Sequence, residues 1–204
     1  MNVAFEAKPS VSLTPARAAA PPLLRFMSEA HLRYRDDMSG AVANYIPELS
    51  KADPRLFGIA VATIDGHVYE VGDSDALFTI QSVSKAFVFA LALEMLGTEE
   101  VEQFVGVEPS GEAFNSIRLN AKNQPFNPMV NAGAIACSGL IYKVRGADAF
   151  ADIHDMLSRF AGRKLSIDEA VHASESATGD RNRAIGWMLK NYGIVQDDVN
   201  VVLD

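Results

Sequence analysis

Apolar and polar residues along the chain follow two patterns, which predict one β-hairpin and then a series of helices. Residues 56–64 and 67–71 are rich in strand-forming residues, and the Asp65-Gly66 pair between them favours a tight turn. Residues 77–80 form a short extended segment that leads directly into the first long apolar helix. We therefore expect one antiparallel hairpin ahead of a helical region.

Apolar residues at helical spacing predict helices over most of the remaining chain. Residues 22–40 fit one helix, and residues 41–46 fit a short second helix that Pro47 would end. Thr98, Ser166 and Asp180 are each placed to cap a helix. The further predicted helices cover 82–96, 98–106, 132–144, 148–162, 166–175 and 180–193.

The chain divides into a short extension and one larger region. Residues 1–22 are rich in Ala, Pro and Ser without sustained periodicity, which predicts a flexible extension. Residues 23–204 then form the structured part, and a hairpin followed by helices indicates an α+β fold class. A two-stranded sheet is marginal by itself, so more strands would be expected, yet the sequence offers none.

Composition and charge disfavour several classes of function. The net charge is −8, which disfavours nucleic acid because no excess of basic residues is available to neutralise phosphates. The one cysteine, Cys137, permits no internal disulfide, and no apolar run reaches membrane-spanning length. The four histidines lack metal-ligand spacing, and no nucleotide-binding glycine pattern occurs. The first residues do not resemble a signal peptide. We therefore expect a cytoplasmic protein without metal or cofactor.

Ser82 and Lys85 are the residues most suited to chemistry, because they stand at the head of an almost wholly apolar helix. Residues three positions apart share a helix face, so the hydroxyl and the amine would be neighbours. Burial and the positive end of the helix dipole both disfavour the ammonium, so the pKa of Lys85 should fall. A neutral amine is a general base that would make Ser82 a nucleophile, with the Ser82 N–H available to an oxyanion.

A structural role for the same pair stays open at this point. Ser82 would serve equally well as a helix N-cap, and Lys85 could extend its charged end to solvent. The Ser-Asp-Asn and Lys-Thr-Gly motifs that accompany Ser-x-x-Lys in penicillin-recognising enzymes are absent from the sequence.

Four segments together resemble the serine-dependent glutaminases, which belong to the serine β-lactamase and penicillin-binding-protein superfamily. They are FTIQSVSKAF, VGVEPSGEAFNS, NPMVNAGAI and SESATGDRNRAIGWMLK, in family order and spacing, and YIPELSK also fits. The resemblance implies a β-lactamase-like fold, with a helical cluster packed on an antiparallel sheet. It also implies hydrolysis of L-glutamine to L-glutamate and ammonia, without metal or nucleotide, by a homo-oligomeric enzyme.

The resemblance also implies roles for individual residues. Ser82 matches the family nucleophile and Lys85 the lysine that activates it. Tyr45 and Gln81 match residues that line the site, and Asn131 matches a substrate-binding asparagine. Glu175 and Asn182 match residues that hold the α-amino and α-carboxylate groups of the substrate. An acidic side chain suits a substrate ammonium, and carboxamides suit amide and carboxylate groups.

The family domain continues beyond the position that matches Asp204. The part beyond it carries two further site tyrosines, the remaining sheet strands and the second oxyanion N–H. We therefore expect residues 1–204 alone to be poorly stable and nearly inactive. Two other functions stay open: a Ser-x-x-Lys hydrolase of β-lactams or esters, and a non-catalytic domain that binds glutamine or a homologous subunit.

Overall fold

The computed structural model describes residues 20–203, and these residues form two compact units. The first unit contains the described residues up to 44 together with 49–78, and the second contains 45–48 and 79–203. The predicted extension over residues 1–22 lies outside the described residues except for its last three positions.

The first unit is a hairpin with one helix packed on it. Its elements are helix α1 (Pro22–Tyr34), strand β1 (Gly58–Ala62) and strand β2 (Val68–Gly72). The strands are antiparallel, with Ile59 opposite Val71 and Val61 opposite Tyr69, so four large side chains share one face. These side chains are shielded while the other face is exposed, as expected for a sheet that is covered on one side only.

Local residues explain how the hairpin closes at each end. Gly66 has a φ of +86° in the turn, where the absence of a side chain removes the steric cost. At the open end, the Asp73 N–H donates to the Phe57 carbonyl at 3.0 Å. The His31 ring of α1 stacks on Phe57 with ring centroids 5.0 Å apart, which fixes the helix against the hairpin. The sequence-based hairpin prediction is confirmed.

The second unit consists of seven helices in the described part of the chain. Their bounds are α2 (Ser84–Leu96), α3 (Thr98–Val101), α4 (Asn131–Arg145), α5 (Ala149–Phe160), α6 (Glu169–Thr178), α7 (Asp180–Asn191) and α8 (Val199–Leu203). Short 3₁₀ turns cover Pro47–Lys51, Gln81–Val83 and Gly146–Asp148.

The core of the second unit lies around α4, which packs against α2, α5, α7 and α8. Leu140 and Ile141 of α4 and Ile185 and Leu189 of α7 are at most 1% exposed. Each such side chain contributes about 1.5–3 kcal/mol by leaving water, so this cluster holds α4 and α7 together. Cys137 belongs to the same core, and burial raises the pKa of its thiol to about 12, as expected for a packed, unreactive cysteine.

Several sequence-based predictions of element boundaries are wrong. Residues 41–46 are not helical, because so short a segment cannot offset the cost of starting a helix. The predicted caps Thr98 and Asp180 are instead first helical residues, each preceded by a glycine, and the cap of α6 is Asp168 rather than Ser166. Asp168 Oδ1 accepts from the Val171 N–H at 3.0 Å. The short helix α8 was not predicted.

Helix α2, at whose beginning Ser82 and Lys85 lie, is less buried than its apolar composition predicts. Only Val88, Leu91 and Ala92 of α2 are fully buried, although Phe87 and Phe89 pack partly against the core. Across residues 20–203, no helix is long and apolar enough to cross a membrane. Within the same residues the sheet contains two strands, so the predicted lack of additional strands holds there.

We predict that Gly133→Ala destabilises the second unit, because α4 touches the preceding loop at this position. A Cβ at Gly133 would lie 2.0 Å from the Asn127 carbonyl oxygen and 2.8 Å from Pro128 Cα, and both are backbone atoms. Overpacking of this kind costs about 1–3 kcal/mol of unfolding free energy, measurable by urea denaturation.

Gly139→Ala is the matched control on the same helix. Its Cβ would lie 3.3 Å from Val195 Cγ2, so only a side chain would have to shift, by a few tenths of an ångström. We expect the unfolding free energy of this control to stay within about 1 kcal/mol of the wild-type value, since alanine also favours the helix. Equal stability of the two variants would contradict the close contact at Gly133.

Candidate active site

Ser82 lies in a 3₁₀ turn that runs into α2. The turn spans Gln81–Val83 and α2 begins at Ser84, two residues later than predicted. Gln81 has a φ of +44°, which is uncommon for a residue with a side chain and is often found at functional sites. The Ser84 hydroxyl donates to the Gln81 carbonyl at 2.7 Å and fixes this turn.

The Ser82 hydroxyl does not cap the helix. Neither the turn nor α2 has a side-chain cap, and Ser82 is exposed. Among residues 20–203, the Ser82 N–H has no main-chain acceptor, as is usual at the start of a helix. The structural alternative for Ser82 therefore lacks support, and both its hydroxyl and its N–H are available to a ligand.

Lys85 is held by two oxygen atoms and does not extend to solvent. Its Nζ donates to Asn131 Oδ1 at 2.7 Å and to the Met129 carbonyl at 3.2 Å. Both acceptors belong to the NPMVNAGAI segment, which turns from a proline loop into α4. The Nζ also lies 5.6 Å from the centroid of the Phe114 ring, within cation–π range.

Burial makes the ammonium form of Lys85 less favourable than that of an ordinary exposed lysine. Desolvation by burial lowers the pKa of the amine from the ordinary value of 10.5. No carboxylate forms an ion pair with it in the described part of the chain, so no opposite charge offsets this effect. A neutral amine has two N–H groups and one lone pair. In a neutral amine the two acceptors would take both N–H groups, and the lone pair would then be the site for a proton.

Asn131 connects Lys85 to α7. Its Nδ2 donates to Asn182 Oδ1 at 3.0 Å, so both ends of the Asn131 amide are engaged. The Asn131 N–H donates to the Phe114 carbonyl at 2.8 Å, which ties the start of α4 to the preceding loop. Three of the predicted site residues therefore meet directly, although 46 and 51 positions separate successive members of the set.

The other predicted site residues lie around this centre with fewer contacts. Tyr45 reaches it through Phe114, with ring centroids 6.5 Å apart. Gln81 Nε2 donates to Thr79 Oγ1 at 3.3 Å, a bond within its own turn. Glu175 lies exposed on α6 and, among residues 20–203, forms no side-chain hydrogen bond with the central residues. Ser82 and Lys85 are not hydrogen-bonded to each other in this structure, and catalytic contacts often shorten only when substrate is bound.

Two contacts were not predicted from the sequence. Phe114 touches Lys85, Tyr45 and the Asn131 N–H, and the Met129 carbonyl binds the amine. The only sequence signal for Phe114 is its place in VGVEPSGEAFNS, one of the segments that carry the resemblance. In the described part of the chain, no group of His, Cys, Asp or Glu residues could hold a metal ion.

A serine beside a desolvated, hydrogen-bonded lysine at a helix N-terminus is an arrangement suited to a serine hydrolase. A family model described as glutaminase matches residues 40–204. The chain therefore belongs to the glutaminase family. Among curated relatives, Glutaminase 2 of Bradyrhizobium diazoefficiens is 67% identical over 184 residues, which are 90% of this chain and 30% of that protein. The glutaminase of Microcystis aeruginosa is 49% identical over 184 residues, 90% of this chain and 54% of that protein.

Solved structures agree with this assignment. A probable glutaminase superposes with a TM-score of 0.83 at 34% identity, covering 89% of this chain and 59% of that protein. Mglu in its glutamate form gives a TM-score of 0.84 at 39% identity, covering 90% of this chain and 42% of that protein. These likenesses confirm the predicted α+β class, and the chain spans only 30% to 59% of the length of the four proteins.

We predict that the Lys85 amine titrates below 10.5 in the folded chain. The measurement is a ¹³C NMR titration of lysine side-chain signals, with Lys85→Arg used to assign the resonance. Because burial lowers the pKa, the fraction of neutral amine at pH 7 exceeds that of an ordinary lysine. A titration midpoint at or above the ordinary value would contradict the desolvated setting of the amine.

Proposed function

We propose that the protein carrying this chain hydrolyses L-glutamine to L-glutamate and ammonia. The observation that supports this most is the setting of Lys85, which lies three residues after Ser82. Its amine donates to Asn131 Oδ1 at 2.7 Å, and burial lowers the pKa of the amine. Membership of the glutaminase family and the glutamate form of the similar protein Mglu support the substrate.

The proposed reaction starts with the transfer of a proton from the Ser82 hydroxyl to the lone pair of Lys85. The serine oxygen then attacks the side-chain amide carbon of glutamine, and the Ser82 N–H stabilises the developing oxyanion. Ammonia leaves with the proton that Lys85 returns, and a γ-glutamyl ester of Ser82 remains. Water, activated by the same amine, hydrolyses this ester to glutamate and regenerates the serine.

Glu175, Asn182, Gln81 and Tyr45 complete the proposal as substrate-binding residues. Glu175 presents an exposed carboxylate suited to the α-ammonium group, and the Nδ2 of Asn182 is a donor suited to the α-carboxylate. Tyr45 adds an aromatic wall next to Phe114. Bound glutamine would cover these groups, and each polar group that a wrong ligand covers but leaves unpaired costs about 1–3 kcal/mol, so this set would favour glutamine over its analogues.

The proposal includes a cytoplasmic, self-associating enzyme that works without metal or cofactor. The single buried thiol and the net charge of −8 are compatible with a cytoplasmic protein of this kind. Because the chain spans part of its relatives' length, the activity is proposed for the whole protein that carries it.

We predict that Ser82→Ala abolishes ammonia release from L-glutamine. Loss of a serine nucleophile lowers kcat by roughly 10⁶-fold, and Lys85→Met should lower it by about 10²–10⁴-fold as the loss of a general base. The measurement is an ammonia assay with L-glutamine on the wild-type protein and on each variant, after circular dichroism has confirmed folding.

Ser166→Ala is the matched control, since it removes an exposed serine hydroxyl from the loop ahead of α6, outside the candidate site. We expect it to retain most of the activity. Equal activity in Ser82→Ala and the wild type would contradict the proposal. A folded wild-type protein that binds glutamine without releasing ammonia would instead favour a binding domain.

A further inference from the structure

The orientation of one side-chain amide decides whether Lys85 faces an acceptor or a donor. Asn131 presents Oδ1 to the Lys85 amine and Nδ2 to Asn182. A rotation of this amide by 180° would place Nδ2 against the donors of Lys85 and Oδ1 against the oxygen of Asn182. Both new contacts would be repulsive while Lys85 is protonated, because a lysine ammonium has no acceptor and an amide oxygen has no hydrogen.

We infer that Asn182 is a positioning residue, which fixes the Asn131 amide with its oxygen towards Lys85 and thereby holds the lysine beside Ser82. The inference rests on the proposed function for its catalytic meaning, but the contact itself does not depend on the reaction. In the orientation of this structure the Asn182 oxygen faces Asn131, and because that oxygen only accepts, it selects the nitrogen end of Asn131.

The backbone around Asn182 is held on both sides. Arg181 Nη1 donates to the Asn115 carbonyl at 3.3 Å, and Arg183 Nη2 donates to the Ser176 carbonyl at 2.6 Å. One turn further along α7, Ile185 is fully buried in the core. The residues of α7 that flank Asn182 are thus held by their side chains and by the core, which supports a positioning role for the helix turn that carries it.

The two ends of the Asn182 amide have separate uses. Its oxygen binds Asn131, whereas its nitrogen has no acceptor among residues 20–203. The role expected from the resemblance, contact with the substrate, would use the free nitrogen. Loss of the oxygen would disturb Lys85 before any substrate binds, so the two roles are separable by experiment in the free protein.

The test is a double-mutant cycle that follows the Lys85 titration by ¹³C NMR in wild type, Asn182→Leu, Asn131→Leu and the double variant. Leucine is close to asparagine in size and keeps the amine shielded. Asn131→Leu should lower the pKa of Lys85 by about 0.5–1 pH unit, because the ammonium loses an acceptor. Asn182→Leu should lower it by part of that amount, and the double variant should match Asn131→Leu alone.

Two further variants sharpen the result. Asn182→Asp keeps an accepting oxygen for Asn131 and adds a negative charge, so the pKa of Lys85 should not fall below its wild-type value. Asn191→Leu, at an exposed position at the end of α7, is the matched control and should leave the titration unchanged. If circular dichroism shows that Asn182→Leu does not fold, Asn182→Ala takes its place in the cycle with the same criteria.

An unchanged Lys85 titration in Asn182→Leu would overturn the inference. It would also be overturned if Asn182→Leu changed the titration midpoint equally in the wild-type and in the Asn131→Leu background. Ammonia release by the same proteins is measured separately. If the whole protein that carries the chain lacks glutaminase activity but still shows the Asn131-dependent change, the proposed reaction is refuted and the role of Asn182 is retained. If the protein is active but the Lys85 titration is the same in all four proteins of the cycle, the proposed reaction is retained and the role of Asn182 is refuted.

Discussion

The hydrogen bond between the Lys85 amine and Asn131 is the interaction on which the candidate site depends. A half-buried lysine without a partner would turn to water and leave Ser82 without a base. The 2.7 Å contact to Asn131 Oδ1 and the 3.2 Å contact to the Met129 carbonyl keep the amine in place. Desolvation at the same time favours the neutral form that a base needs.

The packing of helices α2, α4 and α7 in the core determines the geometry of this contact. Lys85 belongs to α2, Asn131 begins α4 and Asn182 lies in the first turn of α7, so three helix N-termini converge. Small residues of α4 allow this approach, as the close contact of Gly133 with the Asn127 carbonyl illustrates. The chemistry therefore depends on the packing of the core as much as on the identity of the reacting groups.

Sequence patterns predicted the elements whose causes are local. The hairpin followed from Asp65-Gly66 between two strand-forming runs. Helix α4 followed from its small, apolar composition, and α7 from a segment that ends at Gly193. Predictions failed where tertiary context decides, as at Asp168, which caps α6 in place of Ser166. The short helix α8 lacks a strong local pattern, and Val199 is buried against the core.

The candidate site shows the same division. Ser82 and Lys85 were predicted because three positions separate them, whereas Asn131 and Asn182 were assigned by resemblance alone. Their mutual hydrogen bonds join residues far apart in sequence, which no local pattern encodes. Phe114 was missed for that reason, since an aromatic residue in a loop gives no sign of the amine that it contacts.

The most direct test of the central claim is covalent labelling of Ser82 by an electrophilic analogue of glutamine, followed by mass spectrometry of the modified peptide. We predict that wild type is labelled on Ser82 and that Lys85→Met lowers the labelling rate by about 10²-fold or more. Lys122→Met, which removes an exposed lysine of a surface loop, should react at the wild-type rate. Labelling at another residue, or equal rates in wild type and Lys85→Met, would contradict the account.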